Sequence, residues 1–335
     1  MSTNQESHRG QWPKGPLTLA VAHYDRHLPL IEGEISIPGG ELRVLVVGQN
    51  EECRDGSHRH SRMLNDEEFD VAEVSFSSYL MARDRGAPFV AIPVFPRRLF
   101  SMSQMWVRKD SRIHTPADLI GKSVGLNSFQ TTLSVLAKAD LGRSYQVPWR
   151  EIKWFTARDE TRSFEPNPKL HLDRLPDGEN LTGGLLSGFL DCVMVPHPPQ
   201  LFLEDSRVRR LLDDPVAEES NYFNRHGYFP IMHVVAFHEE VLEKSPELAS
   251  TLFAAFERSG EIARNHWNDP NWSFLAWSCH WFEHQQQLLA LDIWPNGIKR
   301  NLENIRWFID QSLDQGLISR SYDPSELFHL STFET

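Results

Sequence analysis

Cysteine is scarce. Cys53, Cys192 and Cys279 are the only three in 335 residues, far apart and without CxxC spacing, so the chain encodes neither a disulfide framework nor a zinc site, and a reducing compartment fits. No stretch reaches the roughly 18 apolar residues of a membrane span, and the opening MSTNQESHRGQWPKGP lacks the apolar segment of an export signal. The expected location is therefore cytoplasmic. The net charge of −12 is spread along the chain with no basic block, which argues against nucleic acid and anionic membrane and leaves a small molecule as the expected partner. Phosphate-cradling, dinucleotide and serine-elbow motifs (G-x-x-x-x-G-K, G-x-G-x-x-G, G-x-S-x-G) are missing, as are repeats of fixed period and low-complexity tracts.

What is present is an ordinary globular composition, 40% apolar and 24% charged, in a chain long enough for two folding units. LTLAVAHYDR, LRVLVVGQ, FDVAEVSF and FVAIPVF read as strands, with a helix from Tyr79 to Arg85 between the last two and a partly helical, His- and Arg-rich segment over 51–67. That alternation predicts a parallel sheet covered on both faces. A fresh start follows near SQMWVRKDS. Thr115 caps a predicted helix with Pro116 at its first position, KSVGLN is a strand, and TTLSVLAKADLG is a helix. Positions 159–182 read as loop, and GGLLSGFLDCVMVP returns as helix and strand. One strand and then helices complete the chain from YFPIMHVVAF onward. The expected division is 15–104 with 237–335 as one lobe and 105–236 as the other.

Two strand-to-helix corners carry more hydroxyl and amide groups than a cap requires. One holds Ser75, Ser77, Ser78 and Tyr79; the other holds Asn127, Ser128, Gln130, Thr131 and Thr132. Helix starts of this kind suit a bound carboxylate or phosphate, and one on each lobe predicts a ligand cleft between them.

MWVRKDSRIHTPADLIGKSVGL resembles the lobe crossing of type 2 periplasmic-binding-protein folds. The set YDR (24–26), RML (62–64), EFDVAEVSFSSYLMA, PFVAIPVFP, YFPIMH (228–233) and WPNG (294–297) resembles the 4,5-dihydroxyphthalate decarboxylase family from about Leu17 to Phe333. The resemblance implies a two-lobed α/β solute-binding scaffold used as a cytoplasmic aromatic-acid lyase of phthalate catabolism, without an organic cofactor. Its substrate would be a small aromatic carboxylate. Expelling CO2 directly would strand charge in the ring plane, so protonation of the carboxylate-bearing carbon, assisted by a para hydroxyl, is the lower route. Such a site needs a clamp, a proton donor and a group to take the phenolic proton. On the residues, Arg26 and Arg98 are candidate carboxylate clamps, joined by Ser77, Ser78 and Tyr79 from one lobe and Asn127, Gln130, Thr131 and His197 from the other. His233 is the first choice as proton donor and Asp25 as the group acting on the phenol, with Glu73 a less favoured substitute. Against each stands a simpler reading: an Arg26–Asp25 surface pair, a solvated Arg98, a core His233 bonded to a carbonyl.

The chain departs from the family pattern at Ser101 and Met102, where an Arg-His pair is expected, and at His197 before Pro198, where an Arg is expected. Fewer cations would favour a substrate with fewer carboxylates. The alternative function is a non-catalytic solute-binding or sensor protein for aromatic acids. HWFEH (280–284) matches the H-x-x-E-H zinc pattern, but the aromatic residues around it (Trp272, Phe274, Trp277, Trp281, Phe282) read as a packed helix face over the core or cleft, and no metal is expected. HRH (58–60) reads as a solvated helix face. Trp307 and Phe308 suit either a core or the interface of a homo-oligomer.

Overall fold

Runs such as VAEVS, apolar but for Glu73 and Ser75, and SVGL carry no alternation, the signature of strands covered on both faces. In a computed structural model, which describes residues 15–48, 57–289 and 292–335, with only the backbone at 57 and 58, they become the inner strands of two sheets. The strands are β1 (Leu17–Val21), β2 (Leu42–Val46), β3 (Val71–Ser75), β4 (Phe89–Ile92), β5 (Met105–Arg108), β6 (Ser123–Leu126), β7 (Lys153–Thr156), β8 (Leu172–Arg174), β9 (Cys192–Met194), β10 (Val208–Arg210) and β11 (His233–His238). The α-helices are α1 (Leu28–Ile31), α2 (Ser57–Leu64), α3 (Phe76–Asp84), α4 (Thr132–Tyr145), α5 (Leu181–Ser187), α6 (Gln200–Glu204), α7 (Pro215–His226), α8 (Glu239–Lys244), α9 (Glu247–His266), α10 (Ser278–Leu289) and α11 (Ile298–Asp314).

The first sheet runs β2-β1-β3-β11-β4 and the second β10-β5-β9-β6-β7-β8. Neither is purely parallel. β11 lies antiparallel between β3 and β4, and β5 is antiparallel to both β9 and β10. The expectation of a parallel sheet fails where the chain crosses between lobes, because a strand arriving from the other lobe has no crossover helix to orient it. The return crossing also precedes residue 233, since β11 belongs to the first sheet, ahead of the expected division at 236/237. Two local expectations change as well: residues 159–182 contain β8 at the sheet edge, and the Thr115–Asp118 capping box starts a 3-10 turn (Pro116–Leu119) rather than an α-helix.

The Arg97-Arg98 pair sits where the chain leaves the first sheet. Arg98 turns inward and becomes part of the frame. Its NH1 donates to Phe229 O, and its NH2 to Pro295 O and Asn301 Oδ1, each at 2.6 Å. Asn301 in turn donates to Pro295 O and Gly297 O. A buried guanidinium thus ties the outgoing crossing to the returning one and to α11. Tyr79 is likewise structural: its hydroxyl donates to Leu327 O and accepts from the Ala91 amide, pinning the C-terminal segment to β4. Both side chains are spent on the frame, and neither lines the cavity between the two helix starts, where both were expected. Replacing Arg98 by Ala strands one buried and two half-buried acceptors and empties the space of a buried side chain, so urea denaturation should show a loss of about 3 kcal/mol.

Candidate active site

Glu73 is the fact around which the site is organised. It lies in the middle of β3, the central strand of the first sheet, and is fully buried. A carboxylate there is tolerable only if it is paired and hydrogen-bonded. Arg59 on α2, itself buried, brings its NH2 to 3.1 Å from Oε1, and its Nε and NH1 donate to Glu73 O and Val47 O at 2.8 Å. The Ala22 amide donates to Oε2 at 2.9 Å, and the Tyr24 hydroxyl stands 3.4 Å from Oε1. The fourth partner is His233. Antiparallel register sets His233 opposite Ser75 and Val235 opposite Glu73, so the imidazole and the carboxylate are diagonal neighbours on one face. Nδ1 of His233 is 2.5 Å from Oε1.

The protonation states follow from these contacts. Burial pushes Glu73 up, but the Arg59 guanidinium and the bond to His233 outweigh it and hold the carboxyl well below its usual range. Burial dominates at His233 and lowers it to about 4 against the opposing pull of Glu73. The pair is therefore a carboxylate bonded to a neutral imidazole that carries its proton on Nδ1, which leaves Nε2 as an acceptor. At rest His233 is therefore neutral, with Nε2 able to accept a proton, whereas the proton donor expected from the sequence would carry one. His60, one turn along α2, packs edge-on against it with ring centroids 4.7 Å apart, and burial lowers it well below 6.5. The expectation of a solvated face for HRH fails at His60, because α2 packs this side against β3.

The imidazoles face a seam between the sheets. Ser75 caps α3 by accepting from the Ser78 amide, and Thr131 precedes α4 with no side-chain cap. The two helix starts oppose each other and touch: Ser75 Oγ is 2.9 Å from Thr132 Oγ1, which also accepts from the Ser77 amide at 3.3 Å. Between them lies a cavity of about 30 Å³ lined by His60, Ser78, Arg97, Gln130, Thr131 and His233, among others. That is room for about two waters, not for a substituted ring, so the lobes are closed upon it. Two facing helix N-termini and a guanidinium make the space electropositive. His60 Nε2 and Gln130 Nε2, both buried and lining it, have no hydrogen-bond partner, and neither does the buried Ser77 hydroxyl nearby.

Of the expected site residues, His233, Ser78, Gln130 and Thr131 line this cavity; Ser77 contributes only its amide to the seam, and Asn127 lies outside. Arg97, and not Arg98, lines the cavity, with NH2 2.9 Å from Nε2 of His197, which lies behind it. Asp25 accepts from Trp267 Nε1 at 2.8 Å and pairs with Arg26 at 3.2 Å; both line a different cavity, and Glu73 holds the place given to Asp25. Ser101 donates to buried Asp140, and Met102 packs beside Leu212 and Tyr222, so those departures lie outside the cleft. His280 and Glu283 lie 3.8 Å apart on the exposed side of α10, and among the described residues no group of three or more His, Cys, Asp or Glu is arranged to hold a metal ion. Trp277 and Trp281 are largely exposed, contrary to the packed face expected.

Two consequences are measurable. Glu73→Ala leaves Arg59 charged and buried without its partner and should cost about 3–5 kcal/mol in urea denaturation. A His233 depressed to about 4 is neutral in the fold, while the unfolded imidazole binds a proton below about 6.5; the unfolded state therefore gains protons as pH falls between the two, and stability drops there. His233→Asn should flatten this acid limb, relative to the parent, by about 1.4 kcal/mol per pH unit.

Residues 54–146 match the family described as NMT1/THI5 like. A 4,5-dihydroxyphthalate decarboxylase of Comamonas testosteroni is 31% identical over 329 residues, 95% of this chain and 98% of that one. A second, from Pseudomonas putida, is 30% identical over 220 residues, 63% of this chain and 83% of that one. Among solved structures, the periplasmic aliphatic sulphonate binding protein SsuA of Escherichia coli has a TM-score of 0.57 at 14% identity over 96% of this chain and all of its own. DszB in complex with biphenyl-2-sulfinic acid gives 0.54 at 14% identity over 95% and 97%. At such identity the likeness is one of fold: the chain has the two-lobed periplasmic-binding-protein architecture. No helix among the described residues is long and apolar enough to cross a membrane.

Proposed function

The chain belongs to the 4,5-dihydroxyphthalate decarboxylase family, and from that premise we propose that it removes CO2 from a hydroxylated aromatic acid such as 4,5-dihydroxyphthalate, giving a dihydroxybenzoate. The observation that carries the reading is the Glu73–His233 pair, buried at the seam with one imidazole nitrogen free. A cytoplasmic setting accords with Cys192 and Cys279, both free thiols.

The lobes open, the ring enters, and Arg97 with the starts of α3 and α4 takes a carboxylate. His233 Nε2 accepts the phenolic proton para to the carboxylate that leaves, and Glu73 stabilises the resulting imidazolium. The oxygen's electron pair moves into the ring, and the carbon bearing the carboxylate takes a proton. The C–C bond then breaks, its pair restores aromaticity, and CO2 departs. Returning the proton from His233 to the phenolate regenerates both, so one proton is consumed from solvent per turnover. His60 is the group we assign to deliver that proton. An incoming anion raises the proton affinity of a buried imidazole, so the substrate itself charges His60 on arrival. Gln130, with its uncommitted amide, is placed to bind a ring hydroxyl.

The reading is tested by CO2 release. Incubation with 4,5-dihydroxyphthalate, beside monocarboxylate analogues, should liberate CO2 and leave the dihydroxybenzoate; ligand binding without CO2 from any of these acids would point to a solute-binding protein instead. His233→Ala should lower kcat by about 10²–10⁴-fold. Arg97→Ala should act mainly on KM. Because His233 works as a base with a low proton affinity while His60 must carry a proton, kcat should hold down to about pH 5.5 and fall only on the alkaline side; a rate that fell as pH was lowered from about 8 to 5.5 would contradict both roles.

A further inference from the structure

The space at the catalytic pair is small, yet the first lobe holds a much larger cavity, about 400 Å³, only one side chain away. Tyr24 stands between the two: its hydroxyl is 3.4 Å from Glu73, and its ring stacks on Arg26, which lines the larger space. Six aromatic side chains line it, with Phe95, Phe256, Trp267, Phe282 and Trp294 inside and the exposed Trp281 at the rim, beside an equal number of charged and amide groups. A volume and lining of this kind match those of small-molecule sites.

Gly260 lies on the wall of this space, inside the 20-residue helix α9. A Cβ added there would meet nothing within 4 Å, so the position faces open room, and a bulky side chain placed on it would project into the cavity.

The charges around the cavity select the ligand. Arg26 is paired with Asp25, Arg264 with Asp292 at 3.4 Å, and Glu257 accepts from the neutral Asn296 at 2.7 Å, so these side chains carry one negative charge in excess, which opposes a dianion more than a monoanion. Arg26 is held flat between Tyr24 and Trp294, its Nε and NH2 donating to Pro96 O and its NH1 to Asp25; a guanidinium has five N–H groups, so donors remain for a single carboxylate.

We propose that this cavity is a second binding site, taking a flat aromatic monocarboxylate of the hydroxybenzoate class, its ring stacked among Trp267, Trp281 and Trp294 and its carboxylate on Arg26. The reaction itself runs at His233. That the ligand is the product class rests on the decarboxylase reading; the binding does not, and it is measured without turnover. In an Arg97→Ala background, where the cleft has lost its clamp, 3,4-dihydroxybenzoate should quench tryptophan fluorescence saturably, with one ligand per chain. Gly260→Leu and Trp281→Ala should each weaken that binding by about tenfold or more, and phthalate should bind about tenfold more weakly than the monoacid. Gly260→Ala, which improves the helix and occupies little of the space, should raise Tm and leave binding near the parent's. In the otherwise native chain, Gly260→Leu should leave kcat for decarboxylation unchanged. Binding indifferent to both Gly260→Leu and Trp281→Ala would overturn the proposal. So would loss of decarboxylation in Gly260→Leu with Tm retained, because the cavity would then be the reaction site. If no CO2 is released by any form while the fluorescence results hold, the decarboxylase reading falls and the second site stands.

Discussion

A carboxylate in the middle of the central strand is the constraint to which the rest of this structure answers. Glu73 would be intolerable in β3 on its own, and each neighbour that makes it tolerable is thereby fixed in place: Arg59 and with it α2, the Ala22 amide at the end of β1, and His233 at the start of β11. Because these partners come from separate segments, their convergence welds the core of the first lobe. The same convergence aims His233 and His60 at the seam. Stability and chemistry thus share one group, and the site is preorganised because moving any member would leave a charge unpaired.

Much of the architecture was readable from the sequence. Unbroken apolar strands, polar helix starts and a second strand-helix series led to two lobes with ligand-facing corners, and those corners meet through Ser75, Ser77 and Thr132. Residue-level reading went wrong where it depended on which way a side chain turns. Arg97 and Arg98 are adjacent, and only the packed crossing shows that one faces the cleft and the other the frame. Glu73 was discounted for lying inside a strand, although a charge in an otherwise continuous apolar run is the signal that a buried partner exists. The resting charge of His233 is hidden for a related reason: residue type sets the usual proton affinity, while burial sets the one it has in the fold. His60 was misread because a run of histidines and arginines looks like a wet surface, and nothing local reveals that α2 turns that side inward.

The closed seam and the open aromatic chamber divide two demands that one pocket would serve poorly. A buried imidazole pair works best when water is excluded, which requires tight lobes and a small space. Admission and departure of a flat ring require the opposite. Asp25 and Arg26 border the larger space rather than the seam, and directly follow Tyr24, which touches Glu73.

The placement of β11 carries a consequence for synthesis. The strand that completes the first sheet lies between β3 and β4 but follows them by some 140 residues, while the strands of the second sheet form an uninterrupted block. On the ribosome the N-terminal lobe therefore waits with an open slot and with Glu73 lacking its partner His233, and the later lobe can finish first. The usual order of N-terminus before C-terminus is inverted, and that unfilled slot is the point at which a nascent chain most needs a chaperone's cover.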